Sequence, residues 1–346
     1  MADSNDEVVA VTGASGGVGR ATARAFAERG AKIGLMARGR GGLEQARREV
    51  RELGGDAVVL PTDVAEDEQV EEAADQIEEE FGPIDTWVNC AMVTVMSPIH
   101  EMEPEEYRRV TEVNYLGYVH GTLAALERMR PRDAGKIVQV SSALAYRSIP
   151  LQSAYCASKR AVVGFTESLR TELLHEDSNI GVTMVHMPAL NTPQFEWARN
   201  KMSYKPRPMG KIYQPGVAAD AITWAADHDR REIAVGGSTL QTIAGNKIAP
   251  GLLDRYLART GYSEQLTDEP LEPDRPDNLY EPAPGDYGAR GRFDKKAKSR
   301  SPQLEVNKHR GLIAAGAAAA AGFALAVMST DRVGRERSWW GRFLSG

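Results

Sequence analysis

The stretch Val8-Val9-Ala10-Val11-Thr12-Gly13-Ala14-Ser15-Gly16-Gly17-Val18-Gly19 decides the fold. Its first five residues are a short apolar run bounded by Gly13, which reads as a buried strand. The glycines that follow let the backbone turn tightly into a helix near 18–29. A turn of this kind, between a first strand and a first helix, can set a pyrophosphate on the helix N-terminus. The spacing is Thr-Gly-x-x-x-Gly-x-Gly rather than Gly-x-Gly-x-x-Gly. Structural turns use the same residues, so the surrounding chain has to carry the reading.

Outward from that turn, strand and helix patterns alternate. The second strand is 32–37, followed by a helix near 41–53 and a third strand at 57–60. Thr62-Asp63-Val64 and an acidic helix near 66–80 come next, then a fourth strand over 83–89. A long helix near 104–130 carries Asn114, and strand 136–141 leads to helix 153–175. A sixth strand covers 180–186 and a short seventh 232–235. Alternation of this kind predicts an α/β fold with a Rossmann-type, doubly wound parallel sheet. No internal repeat interrupts it.

Two places on this frame carry chemistry. Tyr155-Cys156-Ala157-Ser158-Lys159 sets a phenol and an ammonium four residues apart, on one helix face. An ammonium beside a phenol favours the phenolate and lowers its pKa, which makes Tyr155 a candidate general acid/base. Ser142 ends the strand before that helix, at the sheet edge where open α/β folds place their sites. The other place is Met36-Ala37-Arg38-Gly39-Arg40, after the second strand. An acid there would accept from the ribose 2′-OH of NAD. None is present, whereas Arg38 or Arg40 could pair with a 2′-phosphate, so the reading favours NADP.

Composition narrows the remaining classes. The chain has 346 residues, enough for one large α/β domain with an appendage, and a net charge of −6 that suggests no nucleic-acid partner. Its two cysteines, Cys90 and Cys156, form neither a disulfide framework nor a metal site. The six histidines make no ligand-spaced cluster, so no metal is expected. Residues 1–7 are acidic and lack the apolar core of a secretory signal, so the catalytic domain is expected to be cytoplasmic.

Taken together, these residues resemble the short-chain dehydrogenase/reductase (SDR) family over residues 7–260. The motifs are the Thr12–Gly19 turn, Asp63-Val64, Asn89, Asn114, Ser142, Tyr155 and Lys159, in the family's order and spacing. The resemblance implies a single catalytic domain with a seven-stranded parallel sheet. It also implies a catalytic tetrad of Asn114, Ser142, Tyr155 and Lys159, acting on a small-molecule carbonyl/alcohol pair. Tyr155 would exchange a proton with the substrate oxygen, Ser142 would position that oxygen, and Lys159 would hold the nicotinamide ribose. Asn114 would bend its helix and hold a water linking Lys159 to solvent. Gly13, Ser15, Gly17, Val18, Gly19, Arg38, Asp63, Val64, Asn89, Tyr155, Lys159, Pro188 and Thr192 would contact NADP. Helices 104–130 and 153–175 would pair subunits into a homodimer or homotetramer. Two departures stand out: Asn89-Cys90-Ala91-Met92 ends in a side chain instead of the usual glycine, and Pro188-Ala189 replaces Pro-Gly.

The catalytic domain is expected to end at residue 262. Residues 190–214 occupy the family's lid position, and Phe195, Trp197, Met202, Tyr204 and Met209 suggest an apolar substrate. Residues 263–310, rich in Pro and charge, read as an irregular linker in which Leu279-Tyr280 and Phe293 offer anchors to the body. Residues 311–328 carry no charge and would span about 27 Å as a helix, against about 30 Å for a bilayer core. With the basic and aromatic residues 329–346, that run suggests membrane contact. A nucleotide-sugar epimerase would need a larger C-terminal substrate domain. A non-catalytic dinucleotide sensor or membrane scaffold would be expected to lose tetrad residues, and all four are present.

Overall fold

A computed structural model describes residues 7–272 and 275–310. Seven short runs form one parallel sheet: β1 (Val8–Thr12), β2 (Lys32–Ala37), β3 (Asp56–Pro61), β4 (Thr86–Asn89), β5 (Lys136–Ser142), β6 (Gly181–Met187) and β7 (Glu232–Ala234). Their order is β7-β6-β5-β4-β1-β2-β3. Every residue of β1 and β4 is buried, as expected of central strands covered on both faces.

Helices fill the crossovers: α1 (Gly17–Ala27), α2 (Arg40–Glu52), α3 (Asp67–Phe81), α4 (Pro104–Thr111), α5 (Gly117–Met129), α6 (Ser153–His175) and α7 (Pro215–Asp227); α8 (Gly237–Ile248) and α9 (Pro250–Thr260) follow the last strand. β1 pairs with β2 on one side and β4 on the other, so the strand order reverses at that point. Such a reversal opens a crevice beyond the C-terminal ends of the strands. Trp87, Ile84, Ile77 and Ile137 belong to the buried cluster beneath it.

Two expectations need correction. The helix near 104–130 is interrupted by a π-helical turn, Glu112–Leu116, centred on Asn114. The Asn114 side chain donates to the Val93 carbonyl at 2.9 Å and accepts from the Val93 amide at 2.8 Å. Anchoring a side chain to a neighbouring strand end in this way suits a one-residue bulge in the helix.

The second correction concerns the segment read as a linker. A boundary between two compact units falls after Ser301, not near residue 262. Leu266–Pro270 pairs antiparallel with Tyr204–Pro206, Leu279 is fully buried, and Phe293 packs edge-on against Phe195. Scattered apolar anchors and arginine–carbonyl bonds hold the segment without periodicity. Of the second unit, helix Pro302–Lys308 is described. No described helix is long and apolar enough to cross a membrane, and the 311–328 run lies outside the described residues.

Candidate active site

The turn after β1 and the segment after β4 are fastened together. The Thr12 hydroxyl accepts from the backbone amides of Cys90 at 2.9 Å and Ala91 at 3.1 Å. Gly13 has φ +72°, and a Cβ there would stand 2.8 Å from the Ala91 Cα. Only glycine allows both that conformation and that approach.

One cleft of about 680 Å³ runs along the C-terminal ends of the strands. Gly13, Ser15, Gly17, Val18, Gly19, Arg38, Asp63, Val64, Ser142, Tyr155, Lys159, Pro188 and Thr192 all line it. So does Met92, the side chain that stands where glycine was expected. Asn89 and Asn114 do not. Asn89 is fully buried, with its amide nitrogen within bonding distance of the Tyr118 carbonyl, Thr122 and Gln139, and its oxygen accepting from Trp87. It braces β4 against α5 and β5 rather than lining the cleft.

Ser142 and Tyr155 meet as the strand-to-helix geometry predicts. The Ser142 hydroxyl lies close enough to the Tyr155 phenol to favour its charged form, and it accepts from the Leu144 amide at 3.1 Å. Burial raises the Tyr155 pKa above that of a free phenol, and the Ser142 hydroxyl opposes the rise. Depression of this phenol by Lys159 is therefore not what the structure shows. The Lys159 ammonium lies 5.8 Å from the Tyr155 ring centroid. It donates instead to the Tyr118 phenol at 2.7 Å and the Val140 carbonyl at 2.9 Å. Burial lowers its own pKa to about 7. Desolvation is the largest cause for both groups, Lys159 being buried and Tyr155 half-buried at the cleft wall.

Asn114 supports this pair from behind. It is fully buried, and its amide nitrogen lies 3.2 Å from the Ser158 hydroxyl, next to Lys159 on α6. Tyr118 escaped the sequence reading. Its position four residues after Asn114, on the same face of the helical stretch, was the available signal.

At the other end, the Arg38 guanidinium donates to the carbonyls of Asn278, Leu279 and Tyr280. No described carboxylate forms an ion pair with it, because the neighbouring Asp63 is paired with Arg109. Arg40 is largely exposed, with Glu44 at 3.6 Å. Leu144, Ile149, Leu190, Phe195, Met209 and Leu253 form an apolar wall of the same cleft. Arg147, also in that wall, is neutralised by Asp254 at 2.6 Å.

Comparisons agree with this architecture. Residues 7–203 match the short chain dehydrogenase family. The chain is similar to the uncharacterized oxidoreductase YxnA of Bacillus subtilis, 33% identical over 305 residues, covering 88% of this chain and 85% of that one. A short chain dehydrogenase/reductase from Burkholderia phymatum, solved in complex with NAD, superposes with TM-score 0.66 at 26% identity. It covers 73% of this chain and 97% of its own. An alcohol dehydrogenase from Thermococcus sibiricus, complexed with 5-hydroxy-NADP, gives TM-score 0.57 at 26% identity over 66% of this chain and 95% of its own.

The chain belongs to the short chain dehydrogenase family. It is an oxidoreductase of the NAD(P)-dependent dehydrogenase/reductase kind. The residues present fit such a dinucleotide. A Cβ at Gly13 or Gly19 would collide with the backbone of Ala91 or of Gly13, so the tight turn at the cleft needs glycine, and two buried or half-buried cations, Lys159 and Arg38, line the cleft.

Proposed function

We propose that the protein is an NADPH-dependent oxidoreductase of apolar ketones and the corresponding secondary alcohols. One observation carries the reading: the Ser142–Tyr155 pair and the Arg38 cation line the same cleft. Bound nicotinamide would supply or accept a hydride. Tyr155 gives its phenolic proton to the carbonyl oxygen during reduction and takes one back in the reverse direction. Ser142 orients that oxygen and the phenol through the same hydroxyl. Lys159, charged below about pH 7 and 5.8 Å from the Tyr155 ring centroid, favours the phenolate left behind through its field rather than by a direct bond.

The choice of NADP rests on Arg38. Three neutral carbonyls hold its guanidinium, and although Asp63 and Glu281 lie near enough to favour its charge, no described carboxylate forms an ion pair with it, which suits a 2′-phosphate. Apolar side chains and a neutralised Arg147 favour an uncharged, lipid-like or cyclic substrate. NADPH and NADH oxidation across a panel of such ketones tests the reading. Preferential NADPH turnover is expected, and none on any ketone would refute it.

Assembly as at least a dimer fits the exposed Leu116, Leu123 and Leu174 around α5 and α6. A monomeric mass by light scattering would contradict that.

A further inference from the structure

Residues 275–294 return across the cleft after α9, far in sequence from the glycine turn they meet. At one end, Leu279 is fully buried in the same cluster as Val64, Val110 and Val113. Its carbonyl accepts from Arg109 at 3.1 Å, and the Tyr280 carbonyl accepts from Arg38 at 2.6 Å. At the other end, the Gly288 carbonyl accepts from the Gly17 amide at 3.1 Å, on the first residue of α1. Asp286 pairs there with Arg20, which is 1% exposed and also held by Glu49 at 2.7 Å.

The same segment is tied to the loop that covers the substrate end. Tyr287 packs edge-on against Trp197, with ring centroids 4.9 Å apart. The Trp197 indole lies 2.8 Å from where a Cβ on Gly16 would stand, directly against the glycine turn. The Asn278 amide donates to the Trp197 carbonyl at 2.9 Å, and the Gly291 amide donates to the Asn191 carbonyl at 3.1 Å. Arg275 donates to the carbonyls of Phe195, Glu196 and Ala198. Asn278, Pro282, Ala283, Gly285 and Tyr287 line the same cleft as the glycine turn.

We propose that residues 278–288 form the outer wall of the dinucleotide site and retain a bound dinucleotide. The strap crosses from the adenosine end, at Arg38, to the pyrophosphate end, at Gly17. Entry and exit of a dinucleotide then require Gly288 and Asp286 to leave α1 and Tyr287 to leave Trp197. Release becomes slow, because several bonds must break together before the ligand moves. Opening the strap also loosens the substrate loop, since Trp197 and Asn191 belong to it. The inference rests on dinucleotide binding, whether the dinucleotide is NADP(H) or NAD(H).

Release rates test it on the full chain. Wild type and the double variant Asp286→Ala/Tyr287→Ala are loaded with NADPH or NADH and mixed with excess oxidised dinucleotide, while nicotinamide fluorescence is followed in stopped flow. The variant is expected to release about tenfold faster, the factor that loss of about one strong contact carries. Equal rates with both dinucleotides would overturn the strap's role while leaving the dinucleotide reading intact. Binding of neither by wild type would overturn both. A second measurement needs no variant: trypsin cleavage at the exposed Arg290 of wild type should slow when dinucleotide is bound. Cleavage at an unchanged rate with dinucleotide bound would count against the strap.

Discussion

The Lys159 ammonium donates to the Tyr118 phenol at 2.7 Å and lies 4.3 Å from the centroid of its ring. Tyr118 in turn donates to the Val140 carbonyl at 2.8 Å, so lysine and phenol share one backbone acceptor. Tyr118→Phe removes an acceptor that favours the charged lysine, so the Lys159 pKa should fall further. Activity that depends on the ammonium is then lost at lower pH. The basic limb of the kcat/KM profile should move down, and the rate at pH 8 should drop about tenfold. An unmoved limb would remove Tyr118 from the positioning of Lys159.

Burial of Lys159 also makes a stability statement. Its folded pKa of about 7 lies below the ordinary 10.5. Between those values the unfolded chain holds a proton that the folded chain lacks, so stability rises with pH. Below about pH 7 both states are protonated and the burial cost is fully present. Relative to Lys159→Met, the ligand-free wild type should gain about 1.4 kcal/mol per pH unit across that window. Denaturant titrations at pH 6, 7.5 and 9 measure the difference, and a flat difference would contradict the buried, shifted lysine.

Cofactor choice is read from Arg38 and Arg40. Arg38→Ala with Arg40→Ala should weaken NADPH by roughly ten- to a hundredfold more than NADH, as expected for losing charge-assisted bonds to a 2′-phosphate. Titration calorimetry with both cofactors gives the ratio. Arg38→Ala also frees the carbonyls of 278–280, so a loss common to both cofactors belongs to the strap and only the ratio reports the phosphate. An unchanged ratio, or a wild-type preference for NADH, would defeat the NADP assignment.

Much of the frame was legible because it is local. β1, the glycine turn and α1 follow from twenty contiguous residues, and α6 covers the 153–175 expected for it. Ser142 and Tyr155 met because a strand end feeds the next helix. What stayed hidden depends on distant partners. Asn89 turns into the core because Trp87, Tyr118, Thr122 and Gln139 together satisfy its amide. Arg38 finds carbonyls about 240 residues away, supplied by a Pro-rich segment whose composition resembles a linker. The Tyr155 pKa went against expectation because a sequence reveals the neighbouring ammonium but not the loss of water around both groups.

We propose, from the sequence alone, that the uncharged run 311–328 and the basic residues before it, including Lys295, Lys296, Lys298 and Arg300, meet an anionic membrane. Each cation near such a surface contributes about 1 kcal/mol. The full chain should sediment with membranes and resist a high-salt wash, whereas a chain truncated after Arg310 should stay in the supernatant and keep its activity. A full chain found wholly in the supernatant would end the membrane reading and leave the chemistry untouched.

The central claim is that Tyr155 is the proton donor of a dinucleotide-dependent reduction, held by Ser142. Ser142→Ala should lower kcat by roughly 10²-fold or more. The most direct measurement is ketone-dependent NADPH oxidation by Tyr155→Phe, with NADPH affinity measured on the same sample. The account predicts turnover at background with affinity close to wild type, because the phenol's proton is lost while the glycine turn and Arg38 remain. Near-normal turnover in Tyr155→Phe would contradict it.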